Sequence, residues 1–200
     1  FSVVDVIGAL TEQDDYQKRM EKYQKRWSKL IPKYTKAHFA GGMGLVSLGT
    51  GWDYGKKDQW ETDVFLGLLP KFEGDKVRLT FTLKQNYIPW KIDFKERFSL
   101  DPFTCSLFAN TIFGEDYWGS LRDRYPGQYY PISTKVRFNI SIGQRITFHV
   151  PENKRRSRNA ITAYYELGTN ELYLVSAFGN KYLRPVDYIN ISFGLKLQIL

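Results

Sequence analysis

The sequence is poor in the residue types on which metal and redox sites depend. Its 200 residues include one cysteine, Cys105, and two histidines, His38 and His149. A single cysteine excludes a disulfide within the chain, and so few imidazole and thiol groups leave only carboxylates to hold a metal. No EF-hand, Walker or dinucleotide-binding spacing is present either. We therefore expect no metal and no cofactor.

The chain also lacks a long apolar run and the signatures of nucleic-acid-binding domains. No stretch of about 18 consecutive apolar residues occurs, which argues against a transmembrane helix. No RRM, KH, helix-turn-helix or zinc-finger pattern accompanies the formal net charge of +8. This excess of positive charge indicates an anionic partner such as lipid phosphate, rather than nucleic acid.

Alternation between apolar and polar residues is the strongest pattern present. From Tyr188 to Leu200, isoleucine, phenylalanine and leucine occupy every second position, with asparagine, serine, glycine, lysine and glutamine between them. Because successive side chains of a strand point to opposite faces, one face must meet an apolar environment and the other a polar one. A soluble sandwich hides the apolar face in its core, whereas a transmembrane barrel turns it toward lipid.

Eight such runs predict eight strands. They are Lys36–Thr50, Gln59–Leu69, Lys76–Tyr87, Phe103–Phe113, Thr134–Val150, Ala160–Leu167, Glu171–Phe178 and Tyr188–Leu200. Several approach or exceed the length of about 9–11 residues that a tilted strand needs to cross a bilayer. Aromatic residues, 16% of the chain, stand at the run ends, as in interfacial girdles, with Trp60 and Tyr87 at one rim and Tyr34 and Phe113 at the other. We predict an all-β fold, an eight-stranded antiparallel transmembrane β-barrel over residues 34–200.

Residues 1–33 have a different pattern and form a separate predicted segment. Between Thr11, a candidate N-cap, and Pro32, aromatic and apolar side chains recur at steps of three and four. The members of this stripe are Tyr16, Met20, Tyr23 and Trp27. The pattern predicts an amphipathic helix with a basic opposite face, which either lies in the lipid headgroup plane or packs on protein. The stripe is a candidate docking surface for a partner.

Charged residues in the middle of the predicted strands form a candidate lumen network. They are Asp63, Arg78, Lys84, Arg137, Arg145, Glu166 and Lys196. In a narrow barrel such side chains can pair inside the lumen, but a solvated sheet face in a soluble protein tolerates them as well.

An even strand number places both termini on one side, which in an outer membrane is the periplasm. With the predicted strands, the connection 114–133 becomes a long periplasmic turn whose Tyr117 and Trp118 could grip a partner. The loop 151–159 then faces outward. Its cations could contact lipid phosphate, since arginine matches phosphate with paired donors, although a solvated loop is the simpler interpretation. These cations are Lys154, Arg155, Arg156 and Arg158.

Residues 36–200 resemble the small eight-stranded outer-membrane barrels of the OmpA/OmpX/PagP architecture. The resemblance rests on the strand pattern and on a closing strand that runs to the end of the sequence. The segments Gly41-Gly42-Met43-Gly44 and Phe193-Gly194-Leu195 are similar to those of Bacteroidota outer-membrane proteins. The resemblance implies a bacterial outer-membrane location with periplasmic termini, contact with membrane lipid and lipopolysaccharide, and no cofactor.

The residues favour a non-catalytic function over chemistry. A PagP-like acyltransferase would need an apolar lumen for an acyl chain, and the charged lumen positions oppose this. A serine–histidine hydrolase would need Ser99 or Ser157 against His149, with no nucleophile-elbow motif to support it. We expect a structural or accessory subunit of an outer-membrane complex that docks through the helix and the long turn onto another envelope protein. The alternatives are an outer-leaflet lipid-modifying enzyme, acyltransferase or lipase, and a soluble lipocalin-like binding barrel.

Overall fold

The computed structural model describes residues 15–23, 27–28, 30–70, 77–94, 97–113, 136–151, 159–174, 184 and 188–199. The chain divides into two compact units, Phe1–Pro32 and Lys33–Leu200. In the first unit, residues 15–23 and 27–28 are helical and their side chains are exposed. The amphipathic helix predicted between Thr11 and Pro32 extends beyond these residues, so as a whole it stays a prediction. Within the described ranges, no helix has the length and apolarity needed to cross a membrane.

The second unit is built from strands. They are β1 (Tyr34–Ala40), β2 (Val46–Tyr54), β3 (Trp60–Leu69), β4 (Arg78–Tyr87), β5 (Ile92–Phe94), β6 (Phe98–Phe113), β7 (Val136–His149), β8 (Ala160–Asn170) and β9 (Asn190–Gln198). One 3₁₀ turn, Gly41–Met43, joins β1 to β2. The fold is therefore all-β, as the alternation predicted.

Eight of these strands close into a ring in which every pairing is antiparallel. The ring runs β4-β3-β2-β1-β9-β8-β7-β6, and a β4–β6 pairing closes it. The short β5 pairs only with the start of β6 and stands outside the ring. The prediction of a closed eight-stranded antiparallel barrel is confirmed.

Two of the predicted strands are wrong, and the errors cancel in the count. The run Lys36–Thr50 is two strands, because Ala40, Gly41 and Gly44 adopt φ values of 65°, 76° and 127° that reverse the chain. The run Glu171–Phe178 begins as a helical turn at residues 171–174 instead of a strand. Asn170 Oδ1 accepts a hydrogen bond from the Tyr173 N–H at 2.9 Å, which is an N-cap contact.

The corrected strands change which connections share an end of the barrel. Tyr34, which begins β1, pairs with Gln198, which ends β9. We call this the terminal end. The strand ends joined by the connections β2–β3, β4–β6 and β7–β8 are at the terminal end, and those joined by β1–β2, β3–β4, β6–β7 and β8–β9 are at the opposite, distal end. We predicted the strand ends that flank residues 114–133 beside the termini and those that flank residues 151–159 opposite to them, and both placements are wrong.

The barrel has a polar interior and an apolar exterior. Exposed and buried positions alternate along the strands, and the buried positions carry mainly polar or charged side chains. Leu48, Leu66 and Leu107 point outward and are 65%, 60% and 59% exposed. The buried apolar cluster consists only of Met43, Phe65 and Phe108 among the described residues. This distribution is the inverse of a water-soluble core.

Aromatic side chains lie at the terminal end of the neighbouring strands β3, β4 and β6. Trp60 stacks against Tyr87 with ring centroids 4.6 Å apart, and Trp90 lies 6.1 Å from Phe103. Trp60 and Tyr87 therefore share one rim, as predicted. Tyr34, which we placed in the other girdle, is instead fully buried inside the terminal end, because β1 begins there.

Candidate functional site

At the centre of the lumen, one carboxylate binds three cationic side chains. Glu61 on β3 accepts hydrogen bonds from Lys36 Nζ at 2.7 Å and Arg145 Nη1 at 2.7 Å, and also from Lys196 Nζ. All four side chains are almost completely buried. Buried charges are tolerated only when they are paired and hydrogen-bonded, and this cluster meets that condition for Glu61.

A second carboxylate extends the network toward β1 and β4. Asp63 accepts from Tyr34 Oη at 2.6 Å, Lys36 Nζ at 2.7 Å and Asn86 Nδ2 at 2.7 Å. Asn86 Oδ1 in turn accepts from Ser106 Oγ at 2.8 Å. The chain of contacts therefore connects four strands, β1, β3, β4 and β6, across and around the lumen.

A third carboxylate, Glu166 on β8, lies deeper toward the distal end. It accepts from Lys84 Nζ, and from Ser141 Oγ at 3.2 Å. Since Lys84 is on β4 and Glu166 on β8, this pair crosses the barrel between strands that are not neighbours. The three carboxylates and the side chains that bind them fill the middle of the lumen.

Two tyrosine rings pack among these charges. Lys196 Nζ lies 3.9 Å from the Tyr34 ring centroid, and the Arg145 guanidinium lies 5.6 Å from that of Tyr164, which are cation–π distances. His38 Nδ1 is 3.2 Å from Tyr164 Oη. Gly194 pairs with Tyr164 across β8 and β9, and a Cβ at residue 194 would collide with the tyrosine ring. A glycine here is what allows the ring to lie across the lumen.

Five of the seven predicted lumen residues meet in this network. They are Asp63, Lys84, Arg145, Glu166 and Lys196. Arg137 lies at the distal end instead, where its Nη1 is 3.3 Å from Glu171 Oε1 and both side chains are partly exposed. Arg78 begins β4 at the same distal end.

Sequence reasoning missed four charged members of the lumen. They are Lys36, Asp53, Glu61 and Asp101, all buried. Lys36 and Glu61 occupy the polar positions of alternating runs, and Glu61 stands two residues before Asp63, so the period of two could have identified both. Asp53 was missed because the first run was predicted to end at Thr50.

The remaining predicted site residues lie either on the first unit or outside the described residues. Tyr16, Met20, Tyr23 and Trp27 are exposed on the first unit. The predicted docking residues Tyr117 and Trp118 lie outside the described residues, as do the predicted phosphate-binding residues Lys154, Arg155, Arg156 and Arg158.

A cavity of about 750 Å³ occupies the terminal end of the lumen. Its lining extends from the exposed Lys57 and Asp58 at the rim to the buried Glu61 and Arg145 at its floor. Trp90 and neighbouring residues before β5 supply an apolar wall. The cavity is thus open to solvent at the rim and charged at the base.

One serine–histidine contact lies at the edge of this cavity. Ser99 Oγ is 3.0 Å from His149 Nε2, because β6 and β7 pair with Ser99 opposite Thr147, two residues before the histidine. Ser99 is buried and His149 partly buried. Among the described residues, no carboxylate is hydrogen-bonded to His149, so a triad of the serine-hydrolase kind is not assembled there.

No protein-family model, curated protein or solved structure matches this chain. The resemblance to the OmpA/OmpX/PagP architecture therefore stays a prediction beyond the closed eight-stranded barrel itself. Among the described residues, no cluster of three or more histidine, cysteine, aspartate and glutamate side chains could hold a metal ion.

Proposed function

We propose that this protein is a non-catalytic β-barrel of a bacterial outer membrane, a structural or accessory subunit of a larger envelope complex. The observation that carries the proposal is the inverted polarity of the barrel, whose interior is charged while its exterior is apolar. A soluble lipocalin-like barrel would show the opposite arrangement, with an apolar cavity inside and polar side chains outside.

The outward face supports a lipid environment because it is continuous and apolar. Leu48, Leu66, Leu83 and Leu107 lie on four different strands and are all about half exposed or more. Soluble monomers rarely expose apolar patches larger than a few hundred Å². In a bilayer, the hydrocarbon tails would cover these apolar side chains. The closed ring also leaves no unpaired strand edge in lipid.

The filled lumen supports a structural rather than a conducting function. Eight strands enclose a space that side chains can fill. Here Glu61 binds cations from β7 and β9, and Glu166 binds one from β4, across that space. Ions would have to displace these buried pairs to pass. We therefore expect no stable single-channel conductance from the protein in planar bilayers.

The connections support an orientation with the terminal end in the periplasm. The distal connections 114–135 and 171–189 are the longest, and long connections are typical of the extracellular side. In this orientation the strand ends that flank residues 152–158 are on the periplasmic side, so we propose inner-leaflet phosphate rather than lipopolysaccharide as the contact for the cations of this segment. The distal connections become the candidate contacts for lipopolysaccharide.

The first unit is the part that we propose docks onto another envelope protein. Tyr16, Met20, Tyr23 and Trp27 expose apolar surface at helical spacing, which suits a groove on a partner. The strands that flank residues 114–133 end at the distal end, away from the start of β1, so the docking proposal is restricted to the first unit.

Site-specific fluorescence tests the membrane placement. Cys105 is the single cysteine, so a Cys105→Ala background permits one probe at a time. A bimane label at Leu66→Cys should be quenched by brominated lipid and protected from iodide in water. The matched control, Lys57→Cys at the exposed rim, should show the reverse. Quenching of the residue-66 label by iodide alone would refute the membrane barrel.

Co-purification in mild detergent tests the docking proposal separately. Crosslinked partners recovered with the wild-type chain should be lost with Tyr23→Ala/Trp27→Ala. The control Lys18→Ala/Lys22→Ala changes the other face of the predicted helix and should retain them. Equal recovery by the aromatic variant would remove the docking hypothesis without affecting the barrel.

The Ser99–His149 contact keeps one enzymatic alternative, a lipid hydrolase. The contact lies at the terminal end, so its substrate would be on the periplasmic side rather than in the outer leaflet. Release of fatty acid from labelled phospholipid by the wild type, abolished in both Ser99→Ala and His149→Ala, would favour hydrolysis. We expect no such turnover, because His149 lacks an orienting carboxylate among the described residues.

A further inference from the structure

A short hairpin extends beyond the ring at the terminal end and leaves one strand edge open. Tyr87, the last residue of β4, pairs with Cys105, and Ile92 of β5 pairs with Leu100, five residues further along β6. β5 therefore continues the line of β4 beside β6. On the other side of this line, β3 begins only at Trp60, opposite Tyr87.

The open edge of β5 offers backbone groups to another strand. Beyond Tyr87, the Ile88 N–H donates to the Gln59 carbonyl at 2.8 Å. Further along, β5 pairs only with β6 among the described strands. Because the N–H and C=O groups of successive residues point to alternate sides of a strand, about half of those in β5 face away from β6. Such a row of groups is a template for an added strand.

One face of the hairpin is apolar and exposed. Its side chains, which we call the terminal patch, are Ile92, Phe94, Phe98, Leu100, Ile146 and Phe148. They share a face because residues directly opposite each other in antiparallel strands point to the same side. Phe94 is 53% exposed and Ile92 is 44% exposed. On β7 the exposed Gln144, which accepts a hydrogen bond from Tyr165 Oη at 2.9 Å, separates the patch from the apolar side chains further along the barrel.

The opposite face of the hairpin is polar and carries one exposed carboxylate. Asp93 lies between Ile92 and Phe94 and opposite Ser99, which in turn lies opposite Thr147. An added strand would place one side chain beside Asp93 and its two neighbours beside Ile92 and Phe94. Because opposite charges and apolar contacts stabilise cross-strand pairs, this edge fits a basic residue flanked by two apolar residues.

We propose that the free edge of β5 binds an extended segment of another polypeptide by strand addition, with an apolar–basic–apolar sequence beside Ile92, Asp93 and Phe94. A second copy of the chain in the same membrane does not suit this edge. Two copies with the same orientation would present parallel β5 strands with one Asp93 beside the other, and like charges opposite each other are destabilising. The pairing depends on the barrel alone and uses other residues than the aromatic stripe of the first unit.

Fluorescence anisotropy of a labelled peptide with the detergent-solubilised full chain tests the edge. The probe has the sequence threonine-threonine-valine-lysine-valine-threonine-threonine, which places lysine beside Asp93 in either strand direction. We expect saturable binding to the wild type. Two further peptides carry N-methyl groups, one at the lysine nitrogen and one at both valine nitrogens. Since only alternate N–H groups of an added strand face its neighbour, one of these peptides should lose binding and the other should retain it.

A charge exchange connects the binding to Asp93. Asp93→Lys should weaken binding of the lysine probe at least about fivefold, because an opposite-charge pair becomes a like-charge pair. A probe with glutamate in place of lysine should recover binding to this variant. The matched control Glu21→Lys makes the same charge change on the exposed surface of the first unit and should bind the lysine probe as the wild type does. Heat-dependent gel mobility confirms that both variants are folded.

Several results would overturn the proposal. They are no saturable binding of the lysine probe, equal effects of the two methylations, and unchanged binding by the Asp93→Lys variant. A dimer of the chain that the probe dissociates would assign the edge to a second copy instead. Quenching by brominated lipid of a bimane label at Phe94→Cys, in the Cys105→Ala background, would assign the terminal patch to the bilayer. None of these results decides whether the ring itself lies in a membrane, which the label at residue 66 tests independently.

Discussion

Replacing Glu61 by glutamine should destabilise the barrel more than any other single loss of charge in the lumen. Glu61 accepts hydrogen bonds from Lys36, Arg145 and Lys196, and all of these side chains are buried. Glutamine has nearly the same shape but no charge, and its amide group presents N–H donors to cations that need acceptors. Lys36 retains Asp63 at 2.7 Å, whereas Arg145 loses its described acceptor.

Removal of one partner from a buried ion pair costs about 3–5 kcal/mol. Because Glu61 serves three cations, we expect a loss of at least this size in the free energy of unfolding. The matched control is Glu171→Gln, which makes the same chemical change in the partly exposed pair with Arg137 and should cost less than about 1 kcal/mol.

Urea unfolding of the refolded barrel in lipid vesicles, followed by tryptophan fluorescence and gel mobility, measures both changes. If the Glu61 and Glu171 variants lost similar stability, the lumen network would not be the element that holds the barrel together. The reasoning from buried, multiply bonded charge would then be refuted.

Four further variants test other parts of the structure by the same unfolding assay. Gly194→Ala places a Cβ in a buried tyrosine ring and should lower the free energy of unfolding by about 1–3 kcal/mol. In the control Gly168→Ala, the nearest atom to the new Cβ is 3.3 Å away, so the loss should be smaller. Equal losses in the two variants would contradict the packing at Gly194. Leu66→Arg should cost about 2–4 kcal/mol if the residue lies near the bilayer midplane, and a neutral effect would favour a soluble barrel. The hydrogen bond from Lys33 to Asp53 raises the pKa of Lys33 above 10.5. The stabilisation of the barrel by this hydrogen bond is therefore complete below pH 10.5 and is lost as pH rises through the raised pKa. In Lys33→Met this pH-dependent loss of stability should be absent.

The sequence predicted the barrel because its signal is local. Inward and outward positions follow a period of two, so Asp63, Lys84 and Lys196 could be assigned to the interior without knowledge of the strand pairing. The same period cannot locate a tight turn when apolar and polar residues alternate on both sides of it. This is why Lys36–Thr50 was predicted as one strand, although Gly41 and Gly44 provide the positive φ angles of a reversal.

The pairing inside the lumen could not be predicted from the sequence. Glu61 contacts Lys196, which is 135 residues away, and only the closed register brings the two together. The error over residues 171–178 had a different cause. The apolar residues after Asn170 are compatible with a strand, but the Asn170 side chain caps a helical turn there. This error and the one over Lys36–Thr50 together reversed the predicted sides of the connections between them.

The distances along the chain between partners in the lumen have a consequence for assembly. Glu61 binds Arg145 and Lys84 binds Glu166, residues separated by 84 and 82 positions. A single hairpin entering hydrocarbon would carry its ionised groups unneutralised, at a penalty of several kcal/mol for each. Neutralisation requires β3, β4, β7, β8 and β9 at once, so insertion that proceeds hairpin by hairpin is disfavoured. If the barrel is inserted in a membrane, as we propose, the charges favour a cooperative entry of all strands, or entry inside a chaperone that shields the open edge until the ring is complete.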